Sequence, residues 1–252
     1  MNTFIKRLSV AVAVISCIAG CKTSAGRMEN RPGEVRSVRT SNVDVRTSVL
    51  TAADQKAMTA DWVINSLKEG NRRFVTNRLT PKNDSAMVRM AASGQYPEAV
   101  ILSCLDSRIP VEDVFDRGIG DLFVARVAGN VVNEDILGSM EFGCKVSGAH
   151  VIVVMGHEGC GAVKAAIDNV QLGNITALVS KIQPAVAASD NFVGEKSSKN
   201  DSYLEVVAKN NILHTIEMIK ENSPILKEQA AKGEIKIVGA YYNLKTGEVS
   251  FL

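Results

Sequence analysis

Aromatic residues are scarce in this chain of 252 residues, at 5% of the sequence, and only one of them is a tryptophan. Lysine and arginine do not gather into a basic stripe, and the formal net charge is only +2. Nucleic-acid-binding proteins need clustered positive charge, and many use aromatic side chains to stack on bases. The composition therefore gives no support to a nucleic-acid partner, and the near-neutral charge points to no other partner.

The sequence also lacks an apolar run long enough to span a bilayer, which takes about 20 residues. The apolar run over residues 8–20 follows Lys6 and Arg7 and has the length of the apolar region of a secretory signal peptide. It ends in small residues directly before Cys21, which resembles the bacterial lipobox. In that motif the cysteine is acylated and becomes the first mature residue. We therefore expect a signal peptide over residues 1–20 and a lipid on Cys21; an ordinary cleaved signal or an uncleaved anchor is the alternative.

Residues 22–50 contain no aromatic residue and mix Arg, Ser, Thr, Gly and Asn. Such a segment buries little apolar surface, so residues 21–50 are predicted to be a lipidated tether. Its arginines outnumber its acidic residues, which leaves open whether it is a solvated spacer or lies near anionic lipid. Residue 22 is lysine, whereas aspartate there typically retains lipoproteins at the inner membrane. We therefore expect a periplasmic protein, lipid-anchored to the outer membrane.

Residues 51–252 are predicted to form an α/β domain. Apolar residues recur at helical spacing over residues 60–75, with Asp61 as the expected cap, and residues 83–93 are expected to form a second N-terminal helix. Four apolar runs have the length and composition of buried strands: residues 98–104, 121–127, 149–155 and 234–242.

The connections between these strands predict the topology of the sheet. Long crossovers that contain helices join the four runs, so the strands are expected to be parallel. A turn at residues 245–247 closes a hairpin with residues 248–252, which adds an antiparallel edge strand. The predicted fold is a mostly parallel central sheet of four parallel strands plus one antiparallel edge strand, flanked by helices.

Two of the predicted strands end in residues that bind metals well. Cys104 follows the run at residues 99–103, and His157 and Cys160 follow the run at residues 150–155. Two thiols and one imidazole are good ligands for zinc, one fewer than a closed structural site needs, so a position remains for water or substrate. Cys160 also lies near the start of a predicted helix, whose dipole favours the thiolate. The sequence thus predicts a catalytic zinc site at the carboxyl edge of the sheet.

Asp106 and Arg108 belong to the same segment as Cys104 and alternate onto one side of an extended chain. The aspartate is placed either to accept a hydrogen bond from zinc-bound water or to bind the zinc itself. Arg108 would pair with it, set its direction and keep its pKa low. We therefore interpret Asp106 and Arg108 as a catalytic pair.

Each of these residues also has a simpler interpretation. Cys104 and Cys160 would form a disulfide in some exported proteins, and His157 alone would be an ordinary loop histidine. Asp106 and Arg108 alone would be a surface ion pair of little energetic value. The joint pattern of two strand ends, complementary ligands and an Asp-Arg neighbour favours the zinc site over these alternatives.

The motifs Cys104-x-Asp106-x-Arg108 and His157-x-x-Cys160-Gly resemble those of the β-class carbonic anhydrases. Further segments resemble the family in the same order: residues 70–74, 94–97, 120–126, 128–130 and 139–142. The resemblance covers about residues 61–252. It implies reversible hydration of carbon dioxide to bicarbonate and a proton by a hydroxide formed on the zinc, with the cysteines and His157 as metal ligands and the Asp-Arg pair beside the metal.

The resemblance also implies a substrate pocket lined by Gln95, Phe123 and Gly161. In the family the glutamine and the phenylalanine come from the neighbouring subunit, so a homodimer or homotetramer is expected. Two departures are visible: Phe142 stands where plant-type members carry tyrosine, and Val127 stands where many members carry asparagine.

Two other functions remain open at this point. A carbon disulfide or carbonyl sulfide hydrolase would use the same site, because those molecules are linear and apolar like carbon dioxide. A non-catalytic zinc-binding lipoprotein would be expected to have lost Asp106, Arg108 or a metal ligand, and all of them are present.

The lipid anchor predicts a specific effect of Cys21→Ser. Lipidation stabilises membrane association by about 0.8 kcal/mol per buried methylene, and two or more chains anchor a protein stably. The wild type should therefore fractionate with membranes, whereas Cys21→Ser should accumulate as a precursor with its signal attached. Cys17→Ser is the matched control, because Cys17 leaves with the signal peptide. Mass spectrometry of the mature N-terminus decides: an unmodified terminus, or cleavage elsewhere, contradicts the lipoprotein assignment.

Overall fold

A five-stranded sheet with the order β2-β1-β3-β4-β5 forms the centre of the molecule. Its strands are β1 (Ala99–Ser103), β2 (Leu122–Arg126), β3 (Val151–His157), β4 (Lys236–Tyr242) and β5 (Val249–Phe251). Strand β1 pairs in parallel with β2 and β3, and β3 pairs in parallel with β4, whereas β5 is antiparallel to β4. The predicted sheet is confirmed, including its antiparallel edge strand. The structure is a computed structural model that describes residues 44–252. The predicted signal peptide, Cys21 and residues 22–43 lie outside the described residues.

Helices surround this sheet. They are α1 (Ala52–Ala57), α2 (Ala60–Val75), α3 (Asp84–Ala91), α4 (Val111–Val114), α5 (Glu134–Glu141), α6 (Gly161–Ile167), α7 (Gly173–Ser180), α8 (Gln183–Ala187), α9 (Asp201–Asn222) and α10 (Pro224–Ala231). A short 3₁₀ turn spans Ala128–Asn130, and a π-helical segment, Phe142–Val146, continues α5. Among the helices described over residues 44–252, none combines the length and the apolar character needed to cross a bilayer.

The central strands are buried along their whole length. Every residue of β1 and of β3 is buried, as expected for parallel strands covered on both faces. Helix α9 approaches the sheet closely through Ile212, because Gly156 and Gly239 leave room for its side chain. A Cβ atom at either glycine would lie within 3 Å of Ile212. The hydrophobic core therefore extends to the carboxyl ends of the strands.

The helix boundaries correct one predicted cap. Helix α2 spans residues 60–75 as predicted, but Thr59, not Asp61, is its N-cap: the Thr59 hydroxyl accepts a hydrogen bond from the N–H of Trp62. A cap residue must be extended so that its side chain can turn back to the first free N–H groups. Asp61 is instead in the first turn and pairs with Lys236 at 2.5 Å. Helix α3 is shorter than predicted, at residues 84–91.

Strand β3 ends later than predicted, so that it includes the predicted metal ligand His157. The predicted strand stopped at residue 155, whereas pairing with β4 continues through Gly156 and His157, which lies opposite Tyr242. His157 is therefore the last residue of a strand and not part of a loop. Its backbone is held by ladder hydrogen bonds, which fixes the direction of its side chain.

The end of the predicted tether belongs to the folded domain. Arg46 donates two hydrogen bonds to the carboxylate of Asp121, at 2.6 and 2.8 Å. Its backbone also exchanges hydrogen bonds with Pro81 and Asn83. The Asp121 side chain is only 1% exposed, so Arg46 neutralises a buried charge. The predicted domain boundary after Leu50 is thus too late, because composition alone does not show which arginine of a polar segment has a buried partner.

Arg46→Ala should destabilise the domain, since it leaves the buried Asp121 carboxylate without its cation. Removing one partner of a buried pair costs about 3 kcal/mol, which lowers the melting temperature of a domain of this size by roughly 6–12 °C. Arg78→Ala is the matched control, because Arg78 is exposed and, over the described residues, its guanidinium hydrogen-bonds only the Thr76 hydroxyl. Thermal unfolding followed by circular dichroism measures both; equal melting temperatures would show that the N-terminal segment is dispensable.

Candidate metal centre

The ends of two neighbouring strands bring the predicted ligands together. Cys104 follows β1 directly, and His157 ends β3, the parallel neighbour of β1. Strand β1 pairs with β2 on one side and β3 on the other, so the chain reverses its direction across the sheet at this point. Cys160 is the N-cap residue of α6. The ligand atoms of Cys104, His157 and Cys160 all lie within 4.8 Å of one another. The cluster occupies the switch point at which open α/β sheets carry their ligands.

His157 presents one ring nitrogen to this cluster. The ring is fully buried, and its Nδ1 lies 2.8 Å from the carbonyl oxygen of Glu158. A carbonyl oxygen only accepts, so Nδ1 carries the proton and Nε2 has the free lone pair. Nε2 is buried and has no hydrogen-bond partner among residues 44–252. Buried polar atoms are normally satisfied, and a metal ion would satisfy this one.

The two thiols lie within 4.8 Å of each other and influence each other's protonation. The interaction with Cys160 lowers the pKa of Cys104, and the interaction with Cys104, together with burial, raises the pKa of Cys160. The backbone N–H of Gly129 also donates to the Cys104 sulfur, at 3.4 Å. Both cysteines are free, so the disulfide alternative is wrong. Metal binding requires the thiolate form, and thiolate and imidazole donors of this number suit zinc.

Asp106 and Arg108 form the predicted pair. The Arg108 side chain donates to both carboxylate oxygens, at 2.9 and 2.7 Å, and its backbone N–H adds a third bond at 3.0 Å. These hydrogen bonds hold the pKa of Asp106 well below its usual range. The Oδ2 atom of Asp106 lies 4.0 Å from Nε2 of His157. The ionised carboxylate therefore borders the metal centre while Arg108 holds it in place.

Arg126 positions the segment that carries Cys104 and Asp106, a role that was not predicted from the sequence. At the end of β2, its side chain donates to the carbonyl oxygens of Cys104 and Asp106, at 3.0 and 2.5 Å. It thereby holds the backbone of the segment that carries one ligand and the catalytic carboxylate. The pairing of Arg126 with Ser103 in the sheet explains its reach. The sequence shows that Arg126 ends a predicted strand. That this strand lies beside β1 is known only from the strand order in the structure.

The predicted pocket residues fall into two groups. Gly161 directly follows Cys160, and a Cβ atom there would meet nothing within 4 Å, so space is open beside the ligands. Gln95 is exposed and precedes β1, at the opposite end of the strand from Cys104. Phe123 is paired with Val100, roughly 10 Å along the strand from the metal end. Within a single chain, Gly161 therefore lies beside the metal ligands, whereas Gln95 and Phe123 lie away from them.

Comparisons with known proteins identify the family of this chain. A family model described as carbonic anhydrase matches residues 99–249. Carbonic anhydrase 2 of Mycobacterium tuberculosis is 36% identical over 194 residues, covering 75% of this chain and 89% of the relative. Carbonic anhydrase of Mycolicibacterium smegmatis is 33% identical over 198 residues, covering 75% and 91%.

Solved structures share the fold. A Coccomyxa β-carbonic anhydrase in complex with acetazolamide has a TM-score of 0.58 at 25% identity, covering 73% of this chain and 83% of that one. A tetrameric β-carbonic anhydrase from Sordaria macrospora has a TM-score of 0.60 at 19% identity, covering 76% and 95%. The chain belongs to the β-class carbonic anhydrase family.

The geometry of the Asp-Arg pair predicts the effect of Arg108→Ala. Without Arg108, Asp106 is free to rotate towards the metal centre and compete for the open position. We expect zinc content to stay at the wild-type level while carbon dioxide hydration falls about 10- to 100-fold, as for partners that orient groups at a metal site. Arg72→Ala is the matched control, since Arg72 pairs with Glu69 on the exposed face of α2. Wild-type turnover in Arg108→Ala at every pH tested would remove this role.

Proposed function

We propose that this protein is a zinc-dependent carbonic anhydrase that interconverts carbon dioxide and bicarbonate with release of a proton. The observation that carries this conclusion is the buried Cys104–His157–Cys160 cluster with a free Nε2 lone pair, bordered by a carboxylate that an arginine holds in place. Family membership supplies the substrate, because the matched relatives are carbonic anhydrases.

Each side chain of the site has a distinct role in the proposed reaction. Cys104, His157 and Cys160 would hold the zinc through three donors, one fewer than a closed structural site uses. When bound, zinc would lower the pKa of water to about 7 and so supply a nucleophile near neutral pH. Asp106 is ionised and can only accept, so it orients the attacking group without protonating it. Arg108 keeps that carboxylate from occupying the open position.

The rival functions are less well supported. A non-catalytic zinc protein has no reason to retain Asp106 and Arg108 in a bidentate pair beside the ligands. Hydrolysis of carbon disulfide or carbonyl sulfide requires the same ligands, so the donor set does not separate it from hydration. The carbonic anhydrase relatives favour carbon dioxide, and a direct substrate comparison tests the difference.

A second copy of the chain is proposed to complete the substrate pocket. Strand β2 is at the edge of the sheet, and edge strands offer unpaired backbone groups to another chain. Beside it, Phe123 and Phe142 stack edge to face at the side of a cavity of about 670 Å³, and Phe142 is 51% exposed. Docking of a second copy on this face would cover both rings. It would also bring Phe123 and Gln95 towards the partner's metal centre, in a homodimer or homotetramer.

An exported, lipid-anchored location completes the proposal. It is supported by the apolar run at residues 8–20 and by the small residues before Cys21. A periplasmic enzyme at the outer membrane would meet its small, uncharged substrate without the need for a transporter. The Cys21→Ser experiment described above tests this location separately from the activity.

One sample can test the activity and the assembly together. Stopped-flow hydration of carbon dioxide should proceed on purified protein that carries about one zinc per chain, should stop when a chelator removes the metal and should return when zinc is restored. Sedimentation of the same sample should show dimers or tetramers. Zinc-loaded protein that hydrolyses carbonyl sulfide but does not hydrate carbon dioxide supports the rival enzyme. A fully active monomer contradicts the shared pocket.

A further inference from the structure

A buried carboxamide outside the ligand set holds a turn beside the metal centre. Asn211, in the middle of α9, is fully buried. Its Nδ2 donates to the carbonyl oxygen of Gly129 at 2.7 Å. Gly129 belongs to the Ala128–Asn130 turn that follows β2. A buried amide held at this distance ties the position of the turn to the position of α9.

The turn in question contacts a metal ligand. The N–H of Gly129 donates to the sulfur of Cys104 at 3.4 Å. The turn also contains one unfavourable backbone conformation: Asn130 has a positive φ angle of 45°, next to Gly129 at 70°, which glycine adopts freely. A non-glycine residue in this region costs about 1–2 kcal/mol, so the conformation persists only where neighbouring groups hold it. The Asn211 carboxamide is one such group.

Two orphaned polar atoms mark the same place. Within the part of the chain that the structure describes, the Nδ2 of Asn130 and the Oδ1 of Asn211 are buried without a hydrogen-bond partner. Each such atom costs about 1–3 kcal/mol, so a buried asparagine is a poor choice for packing alone. Asn130 also adjoins β3: its Oδ1 lies 3.5 Å from the position of a Cβ on Gly156, the residue before His157. Asn130 therefore adjoins the strand that ends in His157, and Asn211 adjoins the turn that contacts Cys104.

We propose that Asn211 is a positioning residue of the metal centre, whose carboxamide holds the Ala128–Asn130 turn so that the Gly129 N–H donates to the Cys104 sulfur. The inference rests on the proposed zinc site. A hydrogen bond to a metal-bound thiolate draws charge from the sulfur, and outer partners of this kind orient and tune the ligands they contact. Asn211 would thus act on the metal from α9 without touching it.

The test compares Asn211→Ala with a matched control. Asn210→Ala removes the same side chain from the neighbouring position of α9, where its amide donates to the Ser189 hydroxyl at 2.8 Å. We expect zinc release to a chelator to be about 10- to 100-fold faster in Asn211→Ala than in the wild type. In the cobalt-substituted protein, the thiolate-to-metal charge-transfer band should shift to lower energy. Asn210→Ala should match the wild type in both measurements.

A purely structural role predicts a different result. Unchanged zinc release and an unchanged band in a folded but less stable Asn211→Ala would overturn the proposal. Asn211→Leu, which has a similar volume and no hydrogen-bond donor, serves if the alanine variant does not fold. In the wild type itself, NMR of the cadmium-substituted protein should show coupling between the metal and the Gly129 amide proton, and its absence would also overturn the proposal. Wild-type protein that binds no zinc would instead contradict the proposed function.

Discussion

The parallel pairing of β1 with β3 is the constraint on which the metal centre depends. These strands are neighbours in register, so the residue after β1 and the last residue of β3 lie at one edge of the sheet. Because both strands are completely buried, neither can shift without exposing apolar surface. The packing of the core therefore fixes the positions of Cys104 and His157. Cys160, the N-cap of the helix that begins at Gly161, is the third ligand. The hydrophobic core and the site are parts of one arrangement.

Groups around the ligands set their chemical state. The Glu158 carbonyl fixes the tautomer of His157, and the Gly129 N–H contacts the Cys104 sulfur. Arg108 keeps Asp106 ionised and directed, while Arg126 holds the backbone between them. None of these contacts requires a long or flexible connection, because each comes from a strand end or from the turn next to it. A rigid surrounding layer of this kind lets three donors remain close together while an open position is kept.

The fold was largely predictable from the sequence, and the reasons are local. Continuous apolar runs identified four strands, and helical spacing identified α2 with its exact bounds. Errors arose where a distant partner decides the outcome. Pairing with β4 extends β3 to His157, and the buried Asp121 recruits Arg46 from a segment that looks like a tether. The cap of α2 at Thr59 instead depends on the backbone angles of one residue, and hydroxyl and carboxylate compete closely for that role.

The sequence alone determined the donor set, because the identity of a ligand is a matter of residue type: Cys104, His157, Cys160 and the Asp106–Arg108 pair were all recognisable before any fold was known. Tertiary structure decided how these residues act. Only the strand order places Arg126 beside the ligand segment, and only the packing of α9 brings Asn211 to Gly129. It also decided that one chain leaves Gln95 and Phe123 away from its own metal centre. The physical reason is that donor chemistry resides in single side chains, whereas orientation, burial and shared pockets arise from contacts between residues far apart in the chain.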